Sequence, residues 1–492
     1  MALRGIIGAA LRPARHLRGG ARAWCAAAML LVSSLVPAMP SQAASLRDAL
    51  RGAYRNNPQL DAERARLRAS DEDVPRAKSG YRPTLRGALD AGVQSTTTKP
   101  KSISAGETTP WGYEVSLTQS IFSGFRTQSA VSEAEAGVRA ARQNLRQVEQ
   151  RTLLDAVVAY ADVVRETHVL KLREHNVSVL TKEMEAAEAR RAVREVTLTD
   201  VAQARARRAR AVSAADLAKA NLKIARASYQ RVIGTPAEAV DDPATPDQLL
   251  PRSLADALSV AAQESPNVIS SLFREQSARH AVDKVRGELL PQVTLEAAYG
   301  QRYDSSRTID EQEAASITGR ITVPFYEGGE VHARVRQAKH THVSRLQEIE
   351  QARAETEANA TAAWSRLIAA RAQLRSDEVQ VDAARVALNG VREEEKVGQR
   401  TLLDVLNAEQ EYLDAQVAMI ETRHDLVVAG YALLASMGRL TAEHLALDTE
   451  VYDAKAHYLE VADKWIGTTI ADEERARAPM LPADLALRES QW

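Results

Sequence analysis

The chain has 492 residues, of which 26% are charged and only 4% aromatic, and its formal net charge is −1. This composition excludes a disordered polyampholyte and an aromatic-rich core, and the abundance of alanine and helix-favouring polar residues indicates long helices. The single cysteine, Cys25, excludes a disulfide framework.

The first 44 residues have the pattern of a secretory signal peptide. Five arginines and no acidic residue precede an apolar run at 25–36, and a short segment with small residues follows at 38–43. The run is too short for a permanent bilayer anchor, so we expect cleavage near residue 44, with an uncleaved anchor as the weaker alternative. The mature chain would then have no cysteine and a net charge of −6, which disfavours nucleic acid as a partner.

The rest of the chain repeats one plan twice. The segment SLRDAL at 45–50 returns as SLADAL at 253–258, and TLTDV at 197–201 returns as TLLDV at 401–405. Four prolines between the halves break any helix and mark a linker. We therefore predict a first structural repeat, a linker, a second structural repeat and a C-terminal tail, at 45–233, 234–252, 253–440 and 441–492.

Each predicted repeat begins with a helical pattern, and the apolar period then changes to two. In the first such run Leu85 and Leu89 alternate with polar residues such as Arg86. This alternation predicts strands with one apolar and one polar face. The links inside the two strand pairs, at 95–110 and 304–315, are polar and predict loops. The four predicted strands cover about 82–95, 111–122, 290–303 and 316–326.

The predicted strands are suited to crossing a membrane. Their length is close to the roughly 9–11 residues that a tilted strand needs to span a bilayer. No apolar run after the signal peptide is long enough for a transmembrane helix, so any span must consist of strands. Four strands cannot close a barrel and open edges are not tolerated in lipid, so several copies must share one barrel. Aromatic residues at the two ends of the runs resemble the girdles at membrane interfaces: Tyr81, Phe122, Phe125, Phe325 and Tyr326, then Trp111, Tyr113 and Tyr303.

After each strand pair the pattern becomes helical over a long stretch. Residues 125–194 contain no proline and a single glycine, which predicts a helix of about 100 Å at ~1.5 Å per residue. A narrow apolar stripe favours packing of helix against helix rather than a globular core. Residues 331–396 show the same pattern, and shorter returning helices are predicted at 199–232 and 402–437.

Four motifs resemble the TolC family of outer-membrane efflux proteins: YRP at 81–83, QSIF at 119–122, VPFYEGG at 323–329 and VGQRTLLDVLNAEQ at 397–410. The likeness extends from residue 45 to about residue 440. It implies a mixed α+β membrane protein, in which a homotrimer forms a twelve-stranded transmembrane β-barrel, with four strands per chain, continued by a long α-helical coiled-coil tunnel in the periplasm.

The same resemblance implies an exit duct of the outer membrane that passively conducts drugs, small molecules or secreted proteins. The implied partners are two further copies of the chain, a periplasmic membrane-fusion adaptor, an inner-membrane transporter of the RND or ABC type, and outer-membrane lipid. The helical part would lie in the periplasm. No cofactor and no nucleic acid are implied.

Matching the family motif residue by residue implies roles at the periplasmic end. Arg400 matches an arginine that ties neighbouring helices together when the duct is closed, and Thr199 and Asp200 match its partners. Asp404 matches one of two acidic rings that narrow the entrance. Asn407 stands at the second ring position, where an amide replaces the acid.

These threonines and aspartates also have a simpler interpretation. Thr197 with Asp200, and Thr401 with Asp404, have the Thr-x-x-Asp spacing of helix N-caps. A cap stabilises its helix by about 1 kcal/mol. We therefore expect capping at both positions, beside any gating role.

Two further positions depart from the family motif. Glu395 stands where some members have a tyrosine, so that contact cannot be transferred. Arg194 replaces the glycine that its counterpart Gly398 keeps, so the first hairpin turn is expected to differ from the second.

Two other classes of function fit the sequence less well. For an enzyme, no phosphate loop, HExxH motif or nucleophile elbow is present, and His340 and His342 face different sides of a helix, so no catalytic residue or metal is predicted. A soluble periplasmic or secreted coiled-coil adaptor or structural rod would account for the helices but leave the four alternating runs and their girdles unexplained. An ordinary half-buried soluble sheet would account for the alternation, but the signal peptide and the girdles disfavour it. The basic run at 205–210 indicates a solvated or inter-protomer face.

Overall fold

A computed structural model describes residues 45–97, 106–237 and 239–470. The predicted signal peptide, the centre of the first predicted link and the end of the predicted tail lie outside these described residues. None of the helices in the described ranges is long and apolar enough to cross a membrane.

The chain begins its described part with helices whose ends follow from local sequence signals. Ser45 forms a capping box with Asp48 at the start of the first helix, and Asn57 with Pro58 starts the second. The elements are, in chain order, α1 (Leu46–Asn56), α2 (Pro58–Asp71), α3 (Asp73–Lys78), β1 (Thr84–Ala91), β2 (Gln94–Thr96), β3 (Gly106–Thr108), β4 (Trp111–Phe122), α4 (Arg126–Ala192), α5 (Leu198–Ile233), α6 (Leu254–Glu264), α7 (Pro266–Arg286), β5 (Gln292–Ser306), β6 (Ile309–Thr322), α8 (Glu330–Lys396), α9 (Leu402–Ser436) and α10 (Ala456–Val461).

Four strands form one antiparallel sheet in the order β1-β4-β5-β6. The register places Leu85 opposite Leu117, Leu117 opposite Ala297, and Ala297 opposite Ile317. Directly opposed residues share a face, so these four side chains form an apolar row across the sheet. The predicted alternation of faces is confirmed, because the adjacent row on the other face is polar and consists of Thr84, Thr118, Glu296 and Thr318.

The strand bounds differ from the prediction. β5 extends to Ser306 and β6 begins at Ile309, so most of the predicted link at 304–315 is paired strand. Polar residues predicted a loop there, but backbone hydrogen bonds extend an antiparallel hairpin whatever the polarity of its side chains. β6 ends at Thr322, short of the prediction, because Pro324 has no N–H for the ladder. The first predicted strand is divided into β1 and β2, and β2 pairs with β3 in a separate two-stranded sheet.

Aromatic side chains lie at both ends of the four-stranded sheet, as predicted. Trp111 stacks on Tyr303 with ring centroids 4.2 Å apart at one end. Phe122 meets the edge of Phe125 at 5.1 Å at the end where the chain enters α4. We call the end with Phe122 and Phe125 the inner aromatic end.

Left-handed backbone turns carry the chain from the sheet into its two longest helices. Gly124 and Phe125 have φ angles of 65° and 60° before α4, and Gly328 and Gly329 have φ angles of 64° and 84° before α8. A Cβ atom at Gly124 would lie 2.2 Å from the carbonyl oxygen of Gly287, so a larger residue does not fit. α4 and α8 each continue for 67 residues, about 100 Å at ~1.5 Å per residue.

The main hydrophobic core lies where the long helices pass α1, α2 and α6. Tyr160 on α4 is fully buried beside Tyr229 on α5, and its hydroxyl group donates to the carbonyl of Asp241 at 2.8 Å. Burying a large apolar side chain contributes roughly 1.5–3 kcal/mol, so this region stabilises the hairpins strongly. Other fully buried side chains of this core are Leu60, Leu67, Leu153, Leu367, Leu433 and Leu434.

The described part of the C-terminal tail is docked onto the N-terminal helices. Arg47 donates from Nη2 to the carbonyl of Ala446 at 2.7 Å, and the backbone N–H of Tyr452 donates to the hydroxyl of Tyr54 at 3.0 Å. α10 contacts α2, where Nδ1 of His457 lies 3.2 Å from the buried carboxylate of Asp71. The tail as far as α10 therefore packs against the rest of the fold.

Candidate functional site at the hairpin tips

Two helical hairpins, α4 with α5 and α8 with α9, end in turns of the same geometry. Arg194 and Gly398 both have left-handed backbones, with φ angles of 65° and 77°. The N–H of Glu195 donates to the carbonyl of Arg190 at 2.9 Å, and the N–H of Gln399 donates in the same way across the second turn at 2.9 Å. The expectation that the two turns differ is therefore wrong. The hydrogen bonds of the helix end hold Arg194 in a conformation that glycine adopts more easily.

Capping boxes start both returning helices, as the Thr-x-x-Asp spacing predicted. The Thr197 hydroxyl accepts from the N–H of Asp200 at 3.2 Å, and the Asp200 carboxylate accepts from the N–H of Thr197 at 2.9 Å. Thr401 and Asp404 form the same pair of bonds at 3.2 and 2.9 Å. Hydrogen bonds from the side chain and the backbone of Thr197 lower the pKa of Asp200, and those from the backbone and side chain of Thr401 lower the pKa of Asp404. Both carboxylates are therefore charged at neutral pH.

Arg400 is bound within its own hairpin. Its Nε donates to Oε2 of Glu394 at 2.9 Å, and this hydrogen bond raises the pKa of the guanidinium group. Within the described chain the structure does not bring Arg400 together with Thr199 or Asp200, which lie at the tip of the other hairpin. Arg400 is half exposed, so it is open to a second chain.

Glu395 joins the two hairpins near their tips. Nη1 of Arg190, in the last turn of α4, lies 2.5 Å from Oε1 of Glu395, in the last turn of α8. The Glu395 side chain is mostly buried, and the hydrogen bond that Arg190 donates to its carboxylate raises the pKa of Arg190. Glu395 thus links α8 to α4. Sequence reasoning missed Arg190, because no local signal pairs two residues 205 positions apart.

Asn407 is bound by an arginine of the other hairpin. Nη2 of Arg207, on α5, donates to Oδ1 of Asn407, on α9, at 2.7 Å. The amide oxygen of Asn407 is thus held by a cation. The basic run at 205–210 made the arginine conspicuous in the sequence, but nothing in the run pointed to Asn407 as its partner.

Two other arginines of that run bind α4. Arg205 donates from Nη2 to Oε1 of Glu188 at 2.7 Å, and Nε of Arg208 donates to the hydroxyl of Thr181 at 3.0 Å. The run is therefore not simply a solvated face, because it ties α5 to α4 on one side and to α9 on the other.

Buried polar pairs lie between α8 and α9. Arg392 forms an ion pair with Glu409, whose pKa is raised by burial against the opposing effect of Arg392. Further along, the Thr422 hydroxyl donates to Oδ2 of the buried Asp377 at 2.5 Å. Because an unpaired buried charge is unfavourable, these pairs favour one register of the two helices.

An acidic stripe follows one face of α9 away from the tip. Asp404, Asn407, Glu411 and Asp414 are spaced by three, four and three residues, which places them on one side of a helix. Glu411 and Asp414 are exposed. Sequence reasoning identified the first two positions and missed the last two, although their spacing was readable.

A cavity of about 440 Å³ lies between α4, α9 and residues 242–245 of the linker. Burial acts to lower the pKa of His424. Hydrogen bonds to Asp162 and Asp425 outweigh burial, so the pKa of His424 is raised. His168 forms a separate pair with Asp242 at 2.7 Å. Among the described residues no three metal-binding side chains come together, so this cavity has no recognisable metal site.

Two hairpins built on 67-residue helices, joined to a four-stranded sheet with one apolar face, define a membrane duct of the efflux-channel class. The sequence profile of the family described as outer membrane efflux protein matches residues 49–235 and 257–439. The chain belongs to this family, and it is accordingly an exit channel of the outer membrane. The resemblance to TolC proteins is thereby confirmed, and the soluble rod is not favoured.

Individual relatives support the same conclusion. The chain is 37% identical over 454 residues to the outer membrane efflux protein BepC of Brucella suis biovar 1 (strain 1330), covering 91% of this chain and 97% of the relative. It is 24% identical to the alkaline protease secretion protein AprF of Pseudomonas aeruginosa, covering 82% and 86%. The fold is similar to the crystal structure of the CmeC outer membrane channel of Campylobacter jejuni, with a TM-score of 0.74, 16% identity and coverage of 85% and 89%.

Proposed function

We propose that three copies of the chain form one duct, with a twelve-stranded barrel in the outer membrane and a helical tunnel in the periplasm. The observation that supports this proposal is that the sheet of one chain has two open edges. Every residue of β1 and β6 is exposed, and neither strand has a second neighbour among the described strands of one chain. Open edges are unfavourable in lipid, so β6 of one copy pairs with β1 of the next until the barrel closes.

Cysteine cross-linking of these edges tests the proposal. The chain after residue 44 has no cysteine, so Ala88→Cys on β1 can be combined with Ser316→Cys, Thr318→Cys or Arg320→Cys on the same face of β6. We expect oxidation to give covalent dimers and trimers for at least one combination. Leu89→Cys, the next residue on the opposite face, is the matched control and should give none. Monomers throughout, together with a monomeric mass in light scattering, would refute the shared barrel.

The hairpin tips form the gate of this duct. In the closed state Arg400 of one copy contacts Thr199 and Asp200 of the neighbouring copy, and it exchanges its bond to Glu394 for these contacts. Its exposure and the charge of Asp200 support this role. Three copies of Asp404 form a ring that favours cations over anions at the entrance.

The second ring is different in kind. Arg207 bound to Asn407 places a positive group beside the amide, so this duct has one acidic ring followed by a ring of arginine–asparagine pairs. Recordings in planar bilayers on the detergent-purified trimer are the measurement that addresses both rings.

The duct is passive and has no catalytic activity of its own. Its energy comes from an inner-membrane transporter of the RND or ABC type, joined to it by a periplasmic membrane-fusion adaptor. Drugs, small molecules or secreted proteins are the cargo, and the names of BepC and AprF support both efflux and protein secretion. Loss of the gene should therefore be tested for drug sensitivity and for loss of secreted proteins.

The two halves, 45–233 and 253–440, are copies of one unit separated by the linker at 234–252. Ser45 and Ser253 cap corresponding helices, which supports the duplication. The tail from 441 is an addition to this plan.

A further inference from the structure

The tail is fixed to the segment that leads into the membrane sheet. Arg82, two residues before β1, donates from Nη1 to the carbonyl of Lys464 at 2.7 Å, and its guanidinium lies 4.8 Å from the ring centroid of Trp465. Nζ of Lys78 is 2.7 Å from Oδ1 of Asp463. Two charged anchors and a cation–π contact thus hold residues 463–465 at the root of β1.

This root lies at the inner aromatic end of the sheet. The side-chain amide of Gln119, near the end of β4, donates to the carbonyl of Tyr81 at 2.9 Å. Phe122 follows on the same strand and contacts Phe125. Trp465 therefore lies at the level at which the strands leave the helical part of the chain.

The residues that follow expose apolar side chains. Trp465 is 66% exposed, Ile466 is 88% exposed and Ile470 is 56% exposed. Exposed apolar side chains within six residues of one segment are unfavourable in water and make this segment a candidate interaction surface. Tryptophan beside a lysine is the combination that favours the boundary between lipid acyl chains and headgroups.

We propose that residues 464–470 bind the inner-leaflet phospholipid surface of the outer membrane beside the barrel. Trp465 and Ile466 enter the acyl-chain boundary, and the exposed Lys464 ammonium faces the headgroup phosphates. Lipid is the proposed partner because the segment is bonded to the residues that directly precede β1, a strand of the proposed barrel. This inference rests on the proposed barrel, because the barrel strands determine where the membrane lies along the molecule.

Fluorescent labelling in brominated vesicles tests the proposal. Single cysteines are introduced by Ile466→Cys, by Ile317→Cys on the apolar face of β6, and by Val379→Cys on α8, and each is labelled with an environment-sensitive dye. Val379 is 70% exposed and Ile317 is 80% exposed, so neither change removes a buried contact. The trimers are placed in phosphatidylethanolamine–phosphatidylglycerol vesicles with acyl chains brominated near the carbonyl end. We expect quenching at 466 of at least half that at 317, and none at 379.

The outcomes separate the two proposals. If the dye at 317 is not quenched, the membrane barrel itself is wrong. If the dye at 317 is quenched and that at 466 behaves like the one at 379, the barrel stands and the tail proposal is wrong. Blue-shifted emission at 466 without quenching, in detergent and vesicles alike, would place a neighbouring copy over the segment and would also overturn the lipid contact.

Discussion

Replacing Arg207 with glutamine should increase the preference of the channel for cations. The structure bonds the Arg207 guanidinium to Asn407 at 2.7 Å, one helical turn from the proposed Asp404 ring. A positive group there opposes the passage of cations. Glutamine removes the positive charge and retains an amide donor, on a side chain that is two atoms shorter than that of arginine.

The size of the effect follows from the distance. Three residues on a helix span about 4.5 Å, so with the hydrogen bond included the Arg207 charge lies on the order of 7 Å from an ion at the ring. In water, two unit charges at about 7 Å interact by about 0.6 kcal/mol, which corresponds to a factor of about 3. With one arginine lost from each of three copies and screening by salt, we expect a roughly threefold to tenfold rise in the ratio of K⁺ to Cl⁻ permeability.

Reversal potentials of single channels in a KCl gradient measure this ratio. Arg205→Gln is the matched control, because it removes the same charge from the same run. Its side chain points about 200° away around the helix and is bonded to Glu188 on α4. An unchanged ratio in Arg207→Gln, or equal changes in both variants, would refute the assignment of Arg207 to the entrance.

Three further predictions concern the same tips. Asp404→Asn should abolish most of the cation preference, and selectivity that is unchanged in this variant would remove Asp404 from the ring. Hydrogen bonds from Thr401 lower the pKa of Asp404. The cation preference of the wild-type channel should therefore persist as the pH falls through the ordinary aspartate range and disappear only below it. Arg400→Ser should raise the conductance of the closed state, with Arg400→Lys intermediate, since the charge contact with the neighbouring copy is lost or weakened; an unaltered closed state would count against the latch. Gly398→Ala adds a Cβ that meets no atom within 4 Å, so only the left-handed backbone opposes it, by about 1–2 kcal/mol, and the amides of that turn should exchange hydrogen roughly 5- to 30-fold faster. Arg194→Gly should slow exchange in the first turn, and exchange that is equal to wild type in both variants would contradict the inferred strain.

Local features of this protein were readable from its sequence. The period-two runs predicted the four main strands, and the Thr-x-x-Asp pairs predicted both capping boxes, because such features depend on hydrogen bonds within a few residues. The sequence-based prediction was wrong where a loop was inferred from polar side chains alone. The predicted link at 304–315 is mostly strand, because pairing along a hairpin does not require apolar side chains. Arg194 was expected to change the first turn, yet the helix-end hydrogen bonds impose the same turn on both hairpins.

The contacts that define the candidate site depend on tertiary structure. Arg207 and Asn407 are 200 residues apart, and Arg82 is 382 residues from the carbonyl it binds in the tail. No periodicity or spacing in one sequence encodes such a pair, since it forms only when packing of the long helices sets their register and brings their tips together. Periodicity and caps, which act over a few residues, determined the helices and strands of this protein; burial of the shared core decided which charges face each other.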